Sequence, residues 1–284
     1  MSIVIDNLSY VYMQGSPFEK VDLSNINLEI DSGYFVGIIG HTGSGKSTLI
    51  QHFNGLLKPT SGRVLINGID TRSKDLKELR RIVGIVFQYP EHQLFEETVY
   101  KDVAFGLQRF DLSEEQKYNR VMDAIKSVGL DETVLEKSPF ELSGGQKRRV
   151  AIAGVLVMNP EILILDEPTA GLDPSGRNEI LSFIQQLHKN RGMTIVLVSH
   201  SMEDVARTAG RVIVMNKGTI EMDGKPSEIF ANTQRLEEIG LSAPQITYLM
   251  KKLKTYIPGI NGNIFTVEEA KKEILKYLGR SKND

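Results

Sequence analysis

Residues 40–48 read Gly-His-Thr-Gly-Ser-Gly-Lys-Ser-Thr and are the most informative stretch of the chain. An apolar segment rich in β-branched residues precedes them at 34–39, and a helix-compatible run begins at Ser47, so the glycine-rich turn lies between a strand and a helix. Glycine at three of these positions allows backbone turns that aim successive N–H groups and the helix N-terminus at an anion. In this context the spacing predicts a phosphate-binding loop.

The side chains of this loop suit a nucleotide bound together with Mg²⁺. Lys46 supplies a full positive charge for the β- and γ-phosphates, and the hydroxyl of Ser47 is a ligand for Mg²⁺. A glycine-rich turn without a ligand is the alternative, which the complete pattern disfavours. The predicted nucleotide-binding residues of the loop are Gly40, His41, Thr42, Gly43, Ser44, Gly45, Lys46, Ser47 and Thr48.

A second metal ligand and a group that acts on water are predicted at the end of a later apolar strand. Residues 162–165 read Ile-Leu-Ile-Leu and are followed by Asp166 and Glu167. Asp166 is the candidate ligand for Mg²⁺, directly or through water, and Glu167 is the candidate general base or water-orienting carboxylate. Together with the phosphate loop, this pair predicts an enzyme that hydrolyses a Mg²⁺-bound nucleotide.

Composition limits the other possibilities. The chain has 284 residues, of which 40% are hydrophobic and 25% charged, as in an ordinary soluble globular protein. A formal net charge of −2 provides no broad basic surface, so no nucleic-acid partner is expected. The absence of cysteine excludes disulfides and thiolate metal sites. The apolar runs are too short to span a membrane and the N-terminus does not resemble a signal peptide, so we expect a cytoplasmic protein that reaches any membrane through a partner.

The order of apolar segments predicts an α/β fold. Residues 1–39 are β-rich, and the later alternation of strands with helices favours a mainly parallel sheet with ligands at its carboxyl edge. Between about residues 88 and 157 the pattern becomes helical, which indicates a helical insertion into this framework. The framework is predicted to end near residue 225.

Residues 226–284 are predicted to form a small C-terminal appendage. Thr266 and Glu269 form a capping box at the start of a helix. Two interpretations stay open: the helix packs on its own domain, or the appendage serves in dimerisation or regulation. The helix carries an apolar stripe of Val267, Ala270, Ile274, Leu275 and Leu278.

The pentapeptide Leu-Ser-Gly-Gly-Gln at 142–146 resembles the signature of the ATP-binding cassette (ABC) family. Its serine and glycines offer a hydroxyl and unshielded amides at a helix N-terminus, which is a second anion site. In that family the signature binds the γ-phosphate of an ATP held by the opposite subunit, so the resemblance implies a head-to-tail dimer around two ATP molecules. The residues implied in ATP binding are Ser143, Gly144, Gly145 and Gln146.

This resemblance covers about residues 1–225 and implies a P-loop NTPase fold of the ABC type. The expected parts are a RecA-like, mainly parallel sheet, an N-terminal antiparallel β subdomain and an inserted helical signature subdomain. Gln88 matches the Q-loop, whose amide touches Mg²⁺ or the attacking water, Asp173 matches the D-loop at the dimer interface, and His200 matches the switch histidine for the γ-phosphate. The implied catalytic residues are Glu167, His200, Gln88 and Lys46, and the implied Mg²⁺ ligands are Ser47, Gln88 and Asp166.

Two tyrosines are candidates for stacking on the adenine base. Tyr12 is the expected aromatic platform for the base. Tyr10 competes for the same role, and packing of both rings within a strand is the third possibility. Stacking reads no hydrogen-bond pattern, so we expect a loose preference for ATP over GTP.

Finer features resemble the ATPases of energy-coupling factor importers. They are the segment VGIVFQYPEHQLF at 83–95 and the segment LSGGQKRRVAIA at 142–153. The resemblance implies ATP-driven uptake of a vitamin or a transition-metal ion by a subunit peripheral to the cytoplasmic face of the cell membrane. The implied partners are a second ABC ATPase subunit, a transmembrane coupling protein and a separate substrate-binding membrane protein. A paralogous second subunit is favoured, and a homodimer stays open.

The same resemblance locates a contact with the membrane partner. Leu94 and Phe95 are expected to line the groove that receives coupling helices, with ordinary packing of a lid as the alternative. Two other functions stay open: an ATPase of another ABC transporter type, or a soluble ABC ATPase with no role in transport.

Overall fold

The computed structural model describes residues 2–280, which contain two β-sheets, a helical insertion and a helical C-terminal region. In chain order the strands are β1 Ile3–Tyr12, β2 Lys20–Ile30, β3 Phe35–Ile39, β4 Ser61–Ile66, β5 Ile69–Asp70, β6 Val83–Val86, β7 Ile162–Asp166, β8 Thr194–Val198, β9 Arg211–Asn216 and β10 Thr219–Gly224. The helices are α1 Lys46–Phe53, α2 Lys77–Ile82, α3 Val99–Phe105, α4 Glu114–Ser127, α5 Gly144–Leu156, α6 Pro174–Arg191, α7 Met202–Thr208, α8 Pro226–Ala231, α9 Thr233–Glu238, α10 Gln245–Tyr256 and α11 Val267–Arg280.

The larger sheet has the strand order β10-β9-β3-β8-β7-β6, and all of its pairs are parallel except β9 with β10. The carboxyl ends of β3, β6, β7 and β8 therefore lie along one edge of the sheet, where ligands bind in folds of this kind. The smaller sheet, in the order β2-β1-β4-β5, is antiparallel throughout. These sheets confirm the predicted α/β fold.

The parallel strands are buried on both faces because their side chains alternate between two cores. In β7, Leu163 and Leu165 pack in the core on the helical side, whereas Ile162 and Ile164 pack in the core shared with the antiparallel sheet. All four are at most 1% exposed. Burial of this extent on both faces fixes the register of the strand, and with it the position of Asp166 at its end.

The helical insertion contains α3, α4 and α5, which pack on one another through the same core as the helical side of the sheet. Ser113 and Gln116 form the predicted capping box of α4, with reciprocal hydrogen bonds of 3.0 and 3.2 Å. The boundaries near residues 88, 157 and 225 stay predictions.

The C-terminal region has a small core of its own, built from Met250, Ile260, Ile264 and Ala270. Ala270 and Ile274 of α11 pack in or against this core, as the stripe on the helix predicts. Three other members of the stripe do not: Val267, Leu275 and Leu278 are 63%, 55% and 59% exposed. The apolar stripe of α11 is therefore only half covered.

Candidate active site

The phosphate loop connects β3 to α1 and depends on two glycines. Gly45 has φ of 97°, in the left-handed region, and a Cβ at this position would lie 2.9 Å from the carbonyl oxygen of Asp22. A Cβ at Gly40 would lie 2.4 Å from the carbonyl oxygen of Met215. Any larger residue at either position would displace the backbone, so the loop is shaped by the absence of these side chains.

Lys46 lies with its ammonium inside the loop. Its Nζ donates to the carbonyl oxygens of Gly40, at 2.7 Å, and His41, at 3.0 Å. Burial lowers the pKa of this ammonium, and the nearby carboxylates of Glu167 and Asp166 oppose that shift. The charge is therefore held between the loop and the end of β7, as a phosphate-binding lysine requires.

The two residues predicted to bind Mg²⁺ from α1 and β7 are in contact. The hydroxyl of Ser47 donates to Oδ2 of Asp166 at 3.1 Å. Burial raises the pKa of Asp166, partly offset by the Ser47 hydrogen bond. Within residues 2–280 no group of three or more histidine and carboxylate side chains forms a metal site. Mg²⁺ is commonly held by one or two protein ligands together with waters and substrate phosphates, so the oxygens of Ser47 and Asp166 remain its candidate ligands.

Glu167 is bracketed by two other predicted catalytic residues. Gln88 Nε2 donates to Glu167 Oε2 at 3.1 Å, and His200 Nε2 lies 2.8 Å from Glu167 Oε1. These three side chains follow three neighbouring strands, β6, β7 and β8, which explains why they meet. Glu167 also has φ of 50°, a left-handed conformation that costs a non-glycine residue about 1–3 kcal/mol and is concentrated at functional sites.

The side chain of Thr48 contacts the antiparallel sheet, which the phosphate-loop motif does not predict. Its hydroxyl donates to the buried Asp22 at 2.6 Å and lies 3.2 Å from the hydroxyl of Tyr12. Tyr12 therefore lies beside the first turn of α1. Tyr10 packs edge-on against Tyr12 and the buried His52, with ring centroids 4.8 and 4.9 Å apart.

The signature residues lie at the start of α5 and are capped locally, with Ser143 and Gly144 exposed and Gly145 and Gln146 half-buried. Ser143 Oγ accepts from the backbone of Gln146 at 3.3 Å, and Gln146 Oε1 accepts from the backbone of Ser143 at 3.0 Å. A Cβ on Gly144 or Gly145 would meet no atom within 4 Å, so the helix N-terminus is open. No hydrogen bond in the described part of the chain joins this motif to the phosphate loop.

Asp173 has a capping role at the start of α6, where its Oδ1 accepts from the backbone of Gly176 at 2.7 Å. This cap fixes the start of α6 at Pro174. Asp173 itself is exposed, and so is available to a second subunit.

Comparison with known proteins assigns this arrangement to a family. The profile described as ABC transporter matches residues 23–170. The energy-coupling factor transporter ATP-binding protein EcfA2 of Acetivibrio thermocellus is 64% identical over 281 residues, which is 99% of this chain and 100% of the relative. The protein of the same name from Clostridium tetani is 62% identical over 98% of each chain. The chain belongs to the ABC transporter family.

Solved structures agree with this ABC assignment. The structure of cbiO1 from Clostridium perfringens, part of the ABC transporter complex cbiONQ, is 43% identical with a TM-score of 0.75, over 88% of this chain and 98% of that one. A dimeric ATP-binding cassette bound to ADP and Pi is 35% identical with a TM-score of 0.69, over 79% of this chain and 98% of that one. The sequence-based predictions of an energy-coupling factor ABC subunit, its α/β fold, and ATP hydrolysis coupled to transport are thus confirmed.

The ABC motifs did not point to a buried ion pair behind the candidate catalytic residues. Arg148 of α5 is 2% exposed, and its guanidinium donates to both carboxylate oxygens of Glu91, at 2.9 and 2.6 Å. The same guanidinium donates to the carbonyl oxygens of Pro168, at 3.1 Å, and Ala170, at 2.7 Å. A signal was present in the sequence: Arg148 lies four residues before Ile152, on a helix face that is otherwise buried and apolar.

No helix among residues 2–280 combines the length and the apolar character that crossing a membrane requires.

Proposed function

We propose that this chain is one of two ATPase subunits of a vitamin or transition-metal importer and that Glu167, Gln88 and His200 act on the water that attacks ATP. The observation that carries this proposal is the bracketing of Glu167 by the other two side chains, at 3.1 and 2.8 Å. The contacts from Gln88 and His200 fix the direction of the Glu167 carboxylate. A carboxylate held in one direction orients the attacking water better than one that rotates freely.

In this proposal the phosphates of ATP and Mg²⁺ bind at the phosphate loop, residues 40–48, next to Glu167. Lys46 contacts the β- and γ-phosphates, and Ser47, Gln88 and Asp166 hold Mg²⁺. The hydroxyl, amide and carboxylate oxygens of these residues are the hard donors that Mg²⁺ prefers. The metal neutralises phosphate charge, while Lys46, already buried at the loop, adds positive charge without having to be desolvated during the reaction.

The site is completed by a second subunit. Residues 143–146 form the N-terminus of α5, where Ser143 and Gly144 are exposed, and they make no hydrogen bond to the phosphate loop of their own chain. Both observations support their action on an ATP held by the partner. Asp173 lies at the same interface in this proposal. We propose a paralogous ATPase as the partner, because the similar proteins carry the number 2 in their shared name.

The two halves of the chain have separate roles in this proposal. Residues 1–225 form the ATPase domain, including the helical subdomain at about 88–157, and residues 226–284 form an accessory domain that contributes to dimerisation. The half-covered stripe of α11 supports the second role, because exposed apolar groups on one helix face suit a protein contact.

The membrane partner binds the helical insertion. A cleft of about 530 Å³ lies there, and its apolar wall includes Leu94, Phe95, Phe105 and Val155. The Phe95 and Phe105 rings are 59% and 47% exposed and pack edge-on, with centroids 5.1 Å apart. Exposed aromatic pairs of this kind suit a helix laid into a groove. The subunit thus works at the cytoplasmic face of the membrane, bound to a coupling protein that pairs with a substrate-binding protein.

The replacement Glu167→Gln tests the catalytic part of the proposal. It keeps the volume of the side chain and removes its basicity, so ATP binding should stay nearly unchanged while hydrolysis falls by at least a hundredfold. Nucleotide titration and phosphate release measure the two effects separately. Glu161→Gln is the matched control, because Glu161 precedes the same strand at its opposite end. Normal turnover in Glu167→Gln would remove Glu167 from the mechanism.

A further inference from the structure

A strongly basic cleft of about 930 Å³ lies beside the apolar cleft at Leu94 and Phe95. Its cations come from three parts of the chain: the loop before α2, α2 itself and the turn after α3. Two carboxylates, Asp75 and Glu78, also line it, which leaves a net charge of +3 among the lining residues. The five cations are Lys74, Lys77, Arg80, Arg81 and Arg109.

None of these five side chains makes an ion pair with another described residue. Some other exposed cations are paired, as in Arg63 with Asp6 at 2.7 Å and Arg72 with Asp70 at 2.6 Å. All five are exposed. A concentration of unpaired positive charge in a chain whose formal net charge is −2 indicates an anionic partner.

The position of the cleft indicates where that partner lies. Gly106, Arg109 and Met158 line both the basic cleft and the apolar cleft, so the two are continuous. Under the proposed function, on which this step rests, the apolar cleft receives a membrane-embedded protein. The basic cleft is then at the edge of the subunit that faces the membrane surface.

We propose that the basic cleft binds the headgroups of anionic phospholipids. Its cations are long, exposed side chains spread over three segments, rather than a buried clamp with fixed geometry, and this suits the mobile phosphates of a bilayer. Phe110 and Met158 add apolar surface at the cleft for the acyl chains next to the glycerol backbone. Each Lys or Arg near an anionic membrane contributes about 1 kcal/mol, which is roughly a fivefold factor in binding.

Vesicle sedimentation with the purified full-length chain tests the proposal. Vesicles of phosphatidylcholine with about one-third phosphatidylglycerol serve as the anionic surface, and pure phosphatidylcholine vesicles as the neutral one. The double replacement Arg80→Gln with Arg81→Gln should weaken binding to the anionic vesicles roughly 25-fold, from two factors of five. Lys271→Gln with Lys272→Gln is the matched control, because it removes the same charge from exposed positions on α11 and should change binding less than twofold.

We expect wild-type binding to the anionic vesicles only, and binding that weakens as salt rises. Three results would each overturn the proposal: no vesicle binding by the wild type, equal loss in both double variants, or equal binding to neutral vesicles. Salt-sensitive binding of an RNA oligonucleotide through Arg80 and Arg81, with no binding to anionic vesicles, would assign the cleft to a different ligand. The assay leaves Leu94, Phe95 and Glu167 unchanged, so its failure is separate from a failure of the proposed function.

Discussion

The replacement Glu91→Gln tests the buried ion pair that supports the active site. Glu91 and Arg148 are 17% and 2% exposed, and two charge-assisted hydrogen bonds join them. Removal of one partner from a buried pair typically costs about 3–5 kcal/mol, because the other charge loses its counter-ion in a place that water reaches poorly. Glutamine keeps one oxygen acceptor, and Glu91 is partly exposed, so we expect the free energy of unfolding to fall by about 2–3 kcal/mol.

Thermal and urea unfolding of the purified chain measure this loss. At roughly 2–4 °C per kcal/mol for a chain of about this size, Tm should fall by about 5–10 °C. The control is Glu179→Gln. The Glu179 carboxylate lies 3.5 Å from Arg149, the residue after Arg148, and its side chain is 55% exposed. A surface pair of that kind contributes at most about 1 kcal/mol. If Glu91→Gln were no less stable than Glu179→Gln, the assignment of Glu91 as the counter-ion that Arg148 needs would be refuted.

The loss of stability in Glu91→Gln should also depend on pH. Burial is the largest single effect and would raise the pKa of Glu91, but the Arg148 hydrogen bonds, a backbone amide and the positive charges of Arg148 and His92 together hold that pKa below the usual glutamate value. A carboxyl group whose pKa is lowered by folding stabilises the native state above its unfolded pKa and loses that contribution as pH falls through its folded pKa. The stability difference between wild type and Glu91→Gln should therefore be full near neutral pH and shrink below about pH 4.3.

Three further predictions address the proposed roles. The double replacement Leu94→Ser with Phe95→Ser should abolish coupled uptake and spare ATP hydrolysis. The control Phe18→Ser, at another exposed aromatic residue, should spare both. If the double variant still assembled and supported uptake, the groove would lie elsewhere. Phosphate release per subunit should fall on dilution as dimers dissociate, and a constant rate down to monomeric concentrations would show that the site needs no partner. Because burial raises the pKa of Asp166, protons should compete with Mg²⁺ for this carboxylate at a higher pH than for an ordinary aspartate. The variant Asp166→Asn should lose that part of the pH dependence of Mg²⁺ binding. An unchanged pH profile in Asp166→Asn would contradict the role of Asp166 as a ligand.

The parts of the site that the sequence predicts are those where one short segment contains the whole signal. The turn at 40–48 needs glycine within its own backbone, and Asp166 and Glu167 follow directly after a buried strand. Gln88 and His200 follow other strands of the same parallel sheet, so the rule that ligands meet at the carboxyl edge brings them to Glu167. The fold class follows from the same alternation of apolar strands and helices.

Contacts between segments distant in the chain could not be predicted in this way. The hydroxyl of Thr48 lies within a motif that suggests a phosphate contact, yet it donates to Asp22, 26 residues earlier on β2. Arg148 lies on an apolar helix face, which signals its burial, but nothing in the sequence identifies Glu91, 57 residues earlier, as its partner. The stripe on α11 is a regular helical pattern, but its periodicity does not reveal that only half of it is covered. In each case the missing information is which second element packs against the first.

The loop that contains Glu167 is supported twice by one segment, residues 88–91. Gln88 donates to the carboxylate of Glu167, and three residues later Glu91 holds Arg148, which donates to the carbonyl oxygens of Pro168 and Ala170. The left-handed backbone of Glu167 is costly, and such a conformation persists only where the surroundings over-determine it. Leu94 and Phe95 follow this segment in the chain. A membrane partner that moved them would therefore act on both the Gln88 contact and the Glu91 contact. We therefore expect partner binding to alter the direction of the Glu167 carboxylate, and with it the rate of hydrolysis, without any contact between the partner and ATP.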